Sequence, residues 1–234
     1  MKSMAIVTLC VALSVSVALA QEAKPEAAAG ASADEQGFVP LFDGKSIEGW
    51  IQRGGSAKYE VVDGMIVGTS VPDTPNSFLS PAKEYGDFIL ELDFKVDEGL
   101  NSGVQIRSAV KEDKDKRSKG GRVHGYQVEI DPSPRAYTGG IYGEATGRGW
   151  IQDLSQNEAA RKAFKPGEWN HFRIECQGDS IKTFLNGVLA ADLKDDMSKS
   201  GLIALQVHSV GKNGKPGTQV RWKNIKIKDL SAEK

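Results

Sequence analysis

Three stretches of this sequence put polar, proton-carrying side chains at alternate positions, where a strand turns them all to one face. In GVQIR (103–107) they are Gln105 and Arg107, set between Val104 and Ile106. In GYQVEID (125–131) they are Gln127, Glu129 and Asp131, and in LQVH (205–208) they are Gln206 and His208. Side chains two apart on a strand lie about 7 Å from each other on the same side of a sheet. Amides, a guanidinium, carboxylates and an imidazole on one face make directional hydrogen bonds to a hydroxyl-rich ligand such as a sugar, and they can move protons. Crowded carboxylates raise one another's pKa, which helps produce an acid or base near neutrality. The alternative is a solvated sheet face, which carries the same residue types with no ligand.

The remaining candidates have plainer readings. His124 borders a glycine at a loop end, and His171 shares the polar side of a strand with Arg173 and Glu175. Cys176 falls mid-strand in HFRIECQG, where a small buried apolar residue is ordinary. There is no zinc-ligand spacing, no phosphate-binding glycine loop and no serine-nucleophile elbow. With 30 Lys+Arg against 31 Asp+Glu the chain is nearly neutral, which gives no argument for nucleic acid or an anionic membrane surface.

The elements that must position these residues read as strands. In DFILELDFKV (87–96) Phe88, Leu90, Leu92, Phe94 and Val96 alternate with polar residues and Ile89, the mark of a strand buried on one face. The same alternation recurs at 103–110, 125–131, 169–176, 180–192, 201–210 and 218–230. Asp63-Gly64 and Asn186-Gly187 supply the positive φ of tight hairpin turns, and Gly178-Asp179 a third. One short helix is expected around Gln156–Phe164. Two insertions interrupt the strands. KEDKDKRSKGGR (111–122) reads as a solvated loop, with a lid over a site as the alternative, and 146–166 holds Arg148, Trp150 and the helix. Many short strands with glycine turns predict an all-β fold, a two-sheet antiparallel β-sandwich of jelly-roll type.

The N-terminus has one lysine, an apolar run and Ala18-Leu19-Ala20, the pattern of a signal peptide over 1–20. An Ala/Glu/Pro/Ser-rich linker follows at 21–36, and one domain at 37–231. The expectation is an exported protein, periplasmic or secreted, with no membrane attachment in its mature form. Cys10 leaves with the signal, so no internal disulfide forms and the core alone holds the fold.

Seven motifs in order then make the sequence resemble the bacterial 3-keto-disaccharide hydrolase domain family. They are PLFDGKSIEGW (40–50), DGMIVG (63–68), YGDFILELDFKVDEGLNSGVQIR (85–107), GYQVEIDPSPRAYTGGIY (125–142), KPGEWNHFRIECQGDSIKTFLNG (165–187), GLIALQVH (201–208) and VRWKNIKIKDL (220–230). The resemblance implies a concanavalin A-like lectin/glucanase sandwich whose concave sheet holds a carbohydrate. Gln127 stands where laminarinase-type glucanases on that fold have an acidic residue, which argues against ordinary two-carboxylate hydrolysis. The activity implied is cleavage of 3-keto-glycosides: removal of the C2 proton, loss of the glycosidic oxygen from C1, then hydration. In those terms Glu129 is the base, His208 the acid and Arg107 the electrophile at the enolate oxygen, with Glu129 and His208 interchangeable. Gln105, Gln127, Asp131, Tyr142 and Gln206 would fix hydroxyls. No cofactor is called for, a divalent metal stays open, and a sugar 3-dehydrogenase is implied upstream. A glycan-binding module without catalysis is the alternative, since the fold hosts lectins as well.

Overall fold

The alternating segments become two stacked sheets in the computed structural model of the protein, which describes residues 36–233 together with Met1. But for Met1 and Gln36, the expected signal peptide and linker lie outside the described residues. In chain order the strands are β1 (Val39–Pro40), β2 (Ile51–Gly54), β3 (Lys58–Val62), β4 (Met65–Thr69), β5 (Ser77–Ser80), β6 (Phe88–Val96), β7 (Ser102–Lys111) and β8 (Arg122–Ile130). Next come β9 (Ile141–Glu144), β10 (Gly149–Gln152), helix α1 (Glu158–Ala163), β11 (Asn170–Gln177), β12 (Ser180–Leu185), β13 (Val188–Lys194), β14 (Leu202–Val207) and β15 (Gln219–Asp229). One sheet runs β13-β12-β11-β6-β15-β4-β3, with β1 on β15; the other runs β10-β9-β8-β7-β14-β5-β2. This is the two-sheet antiparallel sandwich expected, and its compact unit spans Gly37–Lys234.

The inner faces interdigitate as the alternation dictates. Phe88, Leu90, Leu92 and Phe94 of β6 are fully buried, as are Phe172 and Ile174 of β11, Val104 and Ile106 of β7, and Tyr126 and Val128 of β8. Removing a side chain of this size from water contributes about 1.5–3 kcal/mol. At Gly68 the sheets approach closely: a Cβ there would lie 2.4 Å from Val207 of the opposite sheet and 3.0 Å from Trp222 of its own. Both Asp63-Gly64 and Asn186-Gly187 have positive φ at both positions, the geometry of a hairpin turn that matches strand twist. Helix α1 falls inside the expected span, and its N-cap Asn157 accepts a hydrogen bond from the Ala160 amide.

The charged insertion between β7 and β8 is more than a solvated loop. It leaves β7 at Lys111, three residues beyond Ser108, which lies opposite Leu202 at the start of β14. It then pairs with the sheet's edge strand, where Gly54 and Lys119 exchange backbone hydrogen bonds of 2.8 and 2.7 Å. Gly54 is level with Ser77, which is level with Val207 at the far end of β14. The loop therefore crosses the outer side of β14 and β5 on its way to the sheet's edge.

Candidate functional site

The three polar strand segments are neighbours: β8, β7 and β14 lie side by side, with Glu129 opposite Gly103, Gln127 opposite Gln105, and Gln206 opposite Gly103 from the other side. On their outer face the side chains form one directed chain of hydrogen bonds. Ser108 donates to Gln105 Oε1 at 2.7 Å, and Gln105 Nε2 donates to Gln127 Oε1 at 2.6 Å. Gln206 Nε2 donates to the same oxygen at 2.7 Å. With its oxygen doubly engaged, Gln127 presents Nε2 to Glu129 Oε2 at 2.7 Å, while Asn101 Nδ2 reaches Glu129 Oε1 at 2.6 Å. Glu129 is 4% exposed. Burial pushes its pKa above the usual glutamate value, outweighing the two donors and nearby His208, which favour the charged form.

Glu129 lines a cavity of about 350 Å3 with Asn76, Asn101, Arg122, Gln127, Arg135, Tyr142, Glu144, Trp150 and His208. His208 lies one residue past β14 and is half-buried. Its Nδ1 is 2.7 Å from the Ser209 carbonyl, an acceptor only, so Nδ1 carries the hydrogen and Nε2 is the nitrogen left for proton exchange. Tyr142 is the cross-strand partner of Gln127, and its ring meets Trp150 edge-on at 5.3 Å. Arg135 lies over Trp150 at 5.1 Å. Glu144, two residues past Tyr142 on β9, is a second buried carboxyl; burial raises its pKa against the pull of Arg122, His208 and Asn76. Among the described residues no cluster of three or more His, Cys, Asp or Glu could hold a metal ion.

Four expectations need correction. Arg107 is not on this face. The register slips between Ile106 and Ala109 and Arg107 takes a φ of 45°, a β-bulge that breaks the period-two rule. Its fully buried guanidinium reaches instead to the opposite sheet, donating to the Gly86 and Gly178 carbonyls at 2.7 Å each and pairing with Asp87 at 3.0 Å. Gln105 and Gln206 share the face but are 0% exposed, so they orient Gln127 rather than touch a ligand. Asp131 is likewise buried, lies outside the cavity lining, and shapes the turn after β8 by accepting from the Ser133 and Tyr137 amides and Arg135 Nε. Burial works to raise its pKa, but these donors hold it below the usual aspartate value.

Sequence reasoning missed Asn76, Asn101, Arg122, Arg135 and Glu144 in the cavity and gave Trp150 no role. Glu144 carries a readable signal, since it repeats Tyr142 at period two. Asn76, Asn101 and Arg135 sit in loops, where no periodicity marks them.

Residues 37–228 match the family described as the 3-keto-alpha-glucoside-1,2-lyase-like domain. No curated protein matches the chain significantly. Among solved structures, a putative glycosyl hydrolase from Parabacteroides distasonis is 23% identical with a TM-score of 0.56, covering 84% of this chain and 95% of that one. The carbohydrate-binding module CBM66 from Bacillus subtilis is 17% identical with a TM-score of 0.51, covering 77% of this chain and 96% of the module. A Bacillus subtilis protein with a galectin-like fold is 10% identical with a TM-score of 0.57, covering 82% and 94%. At these identities the likeness is one of fold, the lectin-type sandwich.

Proposed function

Because this chain belongs to the 3-keto-alpha-glucoside-1,2-lyase-like domain family, we propose that it cleaves glycosides whose sugar carries a ketone at C3. The observation behind this reading is Glu129: a buried carboxyl fixed by two side-chain donors in a cavity that also holds His208. The ketone makes the C2 proton acidic, because the electron pair left behind is delocalised as an enolate. Glu129 takes that proton, the C1–O bond breaks as a C1=C2 bond forms, and His208 Nε2 gives a proton to the leaving oxygen. Water then adds hydroxyl to C1 and hydrogen to C2, for net hydrolysis. The reverse roles, His208 as base and Glu129 as acid, use the same atoms. Each positioned acid or base contributes about 10²–10⁴ in rate. With Arg107 committed to the opposite sheet, Arg122 and Arg135 are the cations available to the enolate oxygen. The substrate must come from a reaction that oxidises a sugar's C3 hydroxyl, and residues 1–20 support an exported enzyme.

Glu129→Gln is the test. It keeps shape and hydrogen-bonding capacity, so cleavage of a 3-keto disaccharide should fall about 10²–10⁴ while affinity changes little. In the wild type, activity should be lost as pH falls through the raised value of Glu129, above the ordinary glutamate range. Cleavage within about threefold of wild type in the variant would move the base elsewhere, and equal turnover of an unoxidised glucoside would end the elimination mechanism. A glycan-binding module is the second reading, supported by the Tyr142–Trp150 pair at the cavity edge. In that case Glu129→Gln weakens binding and there is no turnover to lose.

A further inference from the structure

A second cavity, of about 280 Å3, lies between the β7–β8 loop and the outer face of the sheet. It shares Asn76, Arg122, Glu144 and His208 with the cavity that holds Glu129. Each volume is near the lower end of small-ligand sites, about 300 Å3, which suits one ring apiece. The two chambers differ in what else lines them. Glu129 and Tyr142 belong to the first alone; Phe78, Asp113 and Asp115 belong to the second alone. Phe78 backs the second chamber but is only 2% exposed, so it closes the wall rather than offering a face to a ligand. It belongs to a small apolar cluster with Val123, Leu202 and Ala204 on this outer face.

We propose that the chamber beneath the β7–β8 loop binds the leaving group of the substrate, and that it selects a neutral polyhydroxyl unit over an acidic one. This rests on the cleavage reading given above. A glycosidic oxygen joins two rings, so the group that protonates it must stand where their chambers meet. His208 is one of only four residues common to both linings, and Glu144, buried beside it, is another. With the base Glu129 in one chamber, the ketone ring belongs there and the departing unit in the other. That second chamber is rich in acceptors. Asp113 receives the Asp115 amide on Oδ1 at 3.1 Å and keeps capacity for a ligand hydroxyl, and Glu144 closes the opposite side. Asp115 is bound to Arg117 at 2.7 Å, and Arg117 also reaches Asp73 at 2.7 Å, which ties the loop to the connection between β4 and β5. A ligand carboxylate would meet Asp113 and Glu144, with Asp115 already paired to Arg117 and with Arg122 and His208 as the basic groups in the lining.

The experiment compares three 3-keto-glucosides that differ only in the leaving group: methanol, glucose and glucuronic acid. Both kcat/KM and, for the Glu129→Gln protein, Kd are measured, with and without Asp113→Lys. The inference expects wild type to favour glucose over glucuronate by about tenfold or more, the scale of a hydrogen bond to a charged group. Asp113→Lys should reverse that order and leave the methyl glycoside within about twofold, since it does not reach the second chamber. Equal effects of Asp113→Lys on all three substrates, or no preference in the wild type, would overturn it. If no 3-keto substrate is turned over, the cleavage reading falls instead, and the Kd values in the two backgrounds still decide whether the second chamber holds the second ring.

Discussion

Arg107 shows how far one residue's type can mislead about its work. Its charge and its place in a polar alternation pointed to the site, yet a single residue in the left-handed region turned it through the sandwich. There it joins the entry of β6 (Gly86 and Asp87) to the β11–β12 turn at Gly178, and Asp87 in turn accepts the Gly178 amide at 2.9 Å. A buried guanidinium with three oxygen partners is a structural fastening whose loss leaves carbonyls and a carboxylate short of donors. Arg107→Met should therefore cost about 3–5 kcal/mol of stability, read by denaturant unfolding. The rate per folded molecule should stay within about threefold of wild type. A large fall in that rate with unchanged stability would return Arg107 to the chemistry.

At the scale of elements, the site depends on β7 yielding space to β8. Gly103 stands between Glu129 and Gln206, and a Cβ there would lie 2.6 Å from Gln127 Cγ and 2.9 Å from its Nε2. Gly103→Ala should destabilise the fold by about 1–3 kcal/mol through overpacking and push the Gln127 amide off Glu129. A carboxylate that loses a donor is harder to ionise, so the acid limb of the kcat profile should move to higher pH. An unmoved limb would mean that Gln127 does not hold the carboxylate. These relations also mark what the sequence made legible. Long alternations gave β6, β11 and β15, and the Asn-Gly and Asp-Gly turns gave their hairpins, because the signal is repeated many times within one segment. Strands β2, β5, β9 and β10 have four residues each, too few to establish a period. Glu129 and His208 were legible as candidates because sheet order happened to place their strands near each other. Which polar residues face a ligand was not, because Gln105 and Gln206 are buried in a hydrogen-bond chain with Gln127 that joins three strands and is recorded in none of them alone.

Over the whole molecule the two outer faces differ in kind. The larger sheet carries Arg173 between Glu91 and Glu175, Lys226 on Glu91, and His171 on Asp93. The exposed pairs among these contribute about 0–1 kcal/mol each, while Glu91 is buried beneath its two cations. The smaller sheet replaces them with amides, buried carboxyls and a loop that crosses it. That loop does a second job through its bridge to Gly54. Strand β2 ends the sheet, and Lys119 occupies part of the backbone hydrogen-bonding edge that another molecule could otherwise join. Access to the chamber and colloidal behaviour are thus tied to one segment. A protein in which a two-residue Asn-Gly turn replaces residues 112–121 should admit bulkier ligands but self-associate as its concentration rises, seen in light scattering at unchanged circular dichroism. Should it stay monodisperse, the bare edge is harmless and the loop serves the chamber alone. If it does self-associate, natural variation in this loop is constrained by solubility before it is free to follow the substrate.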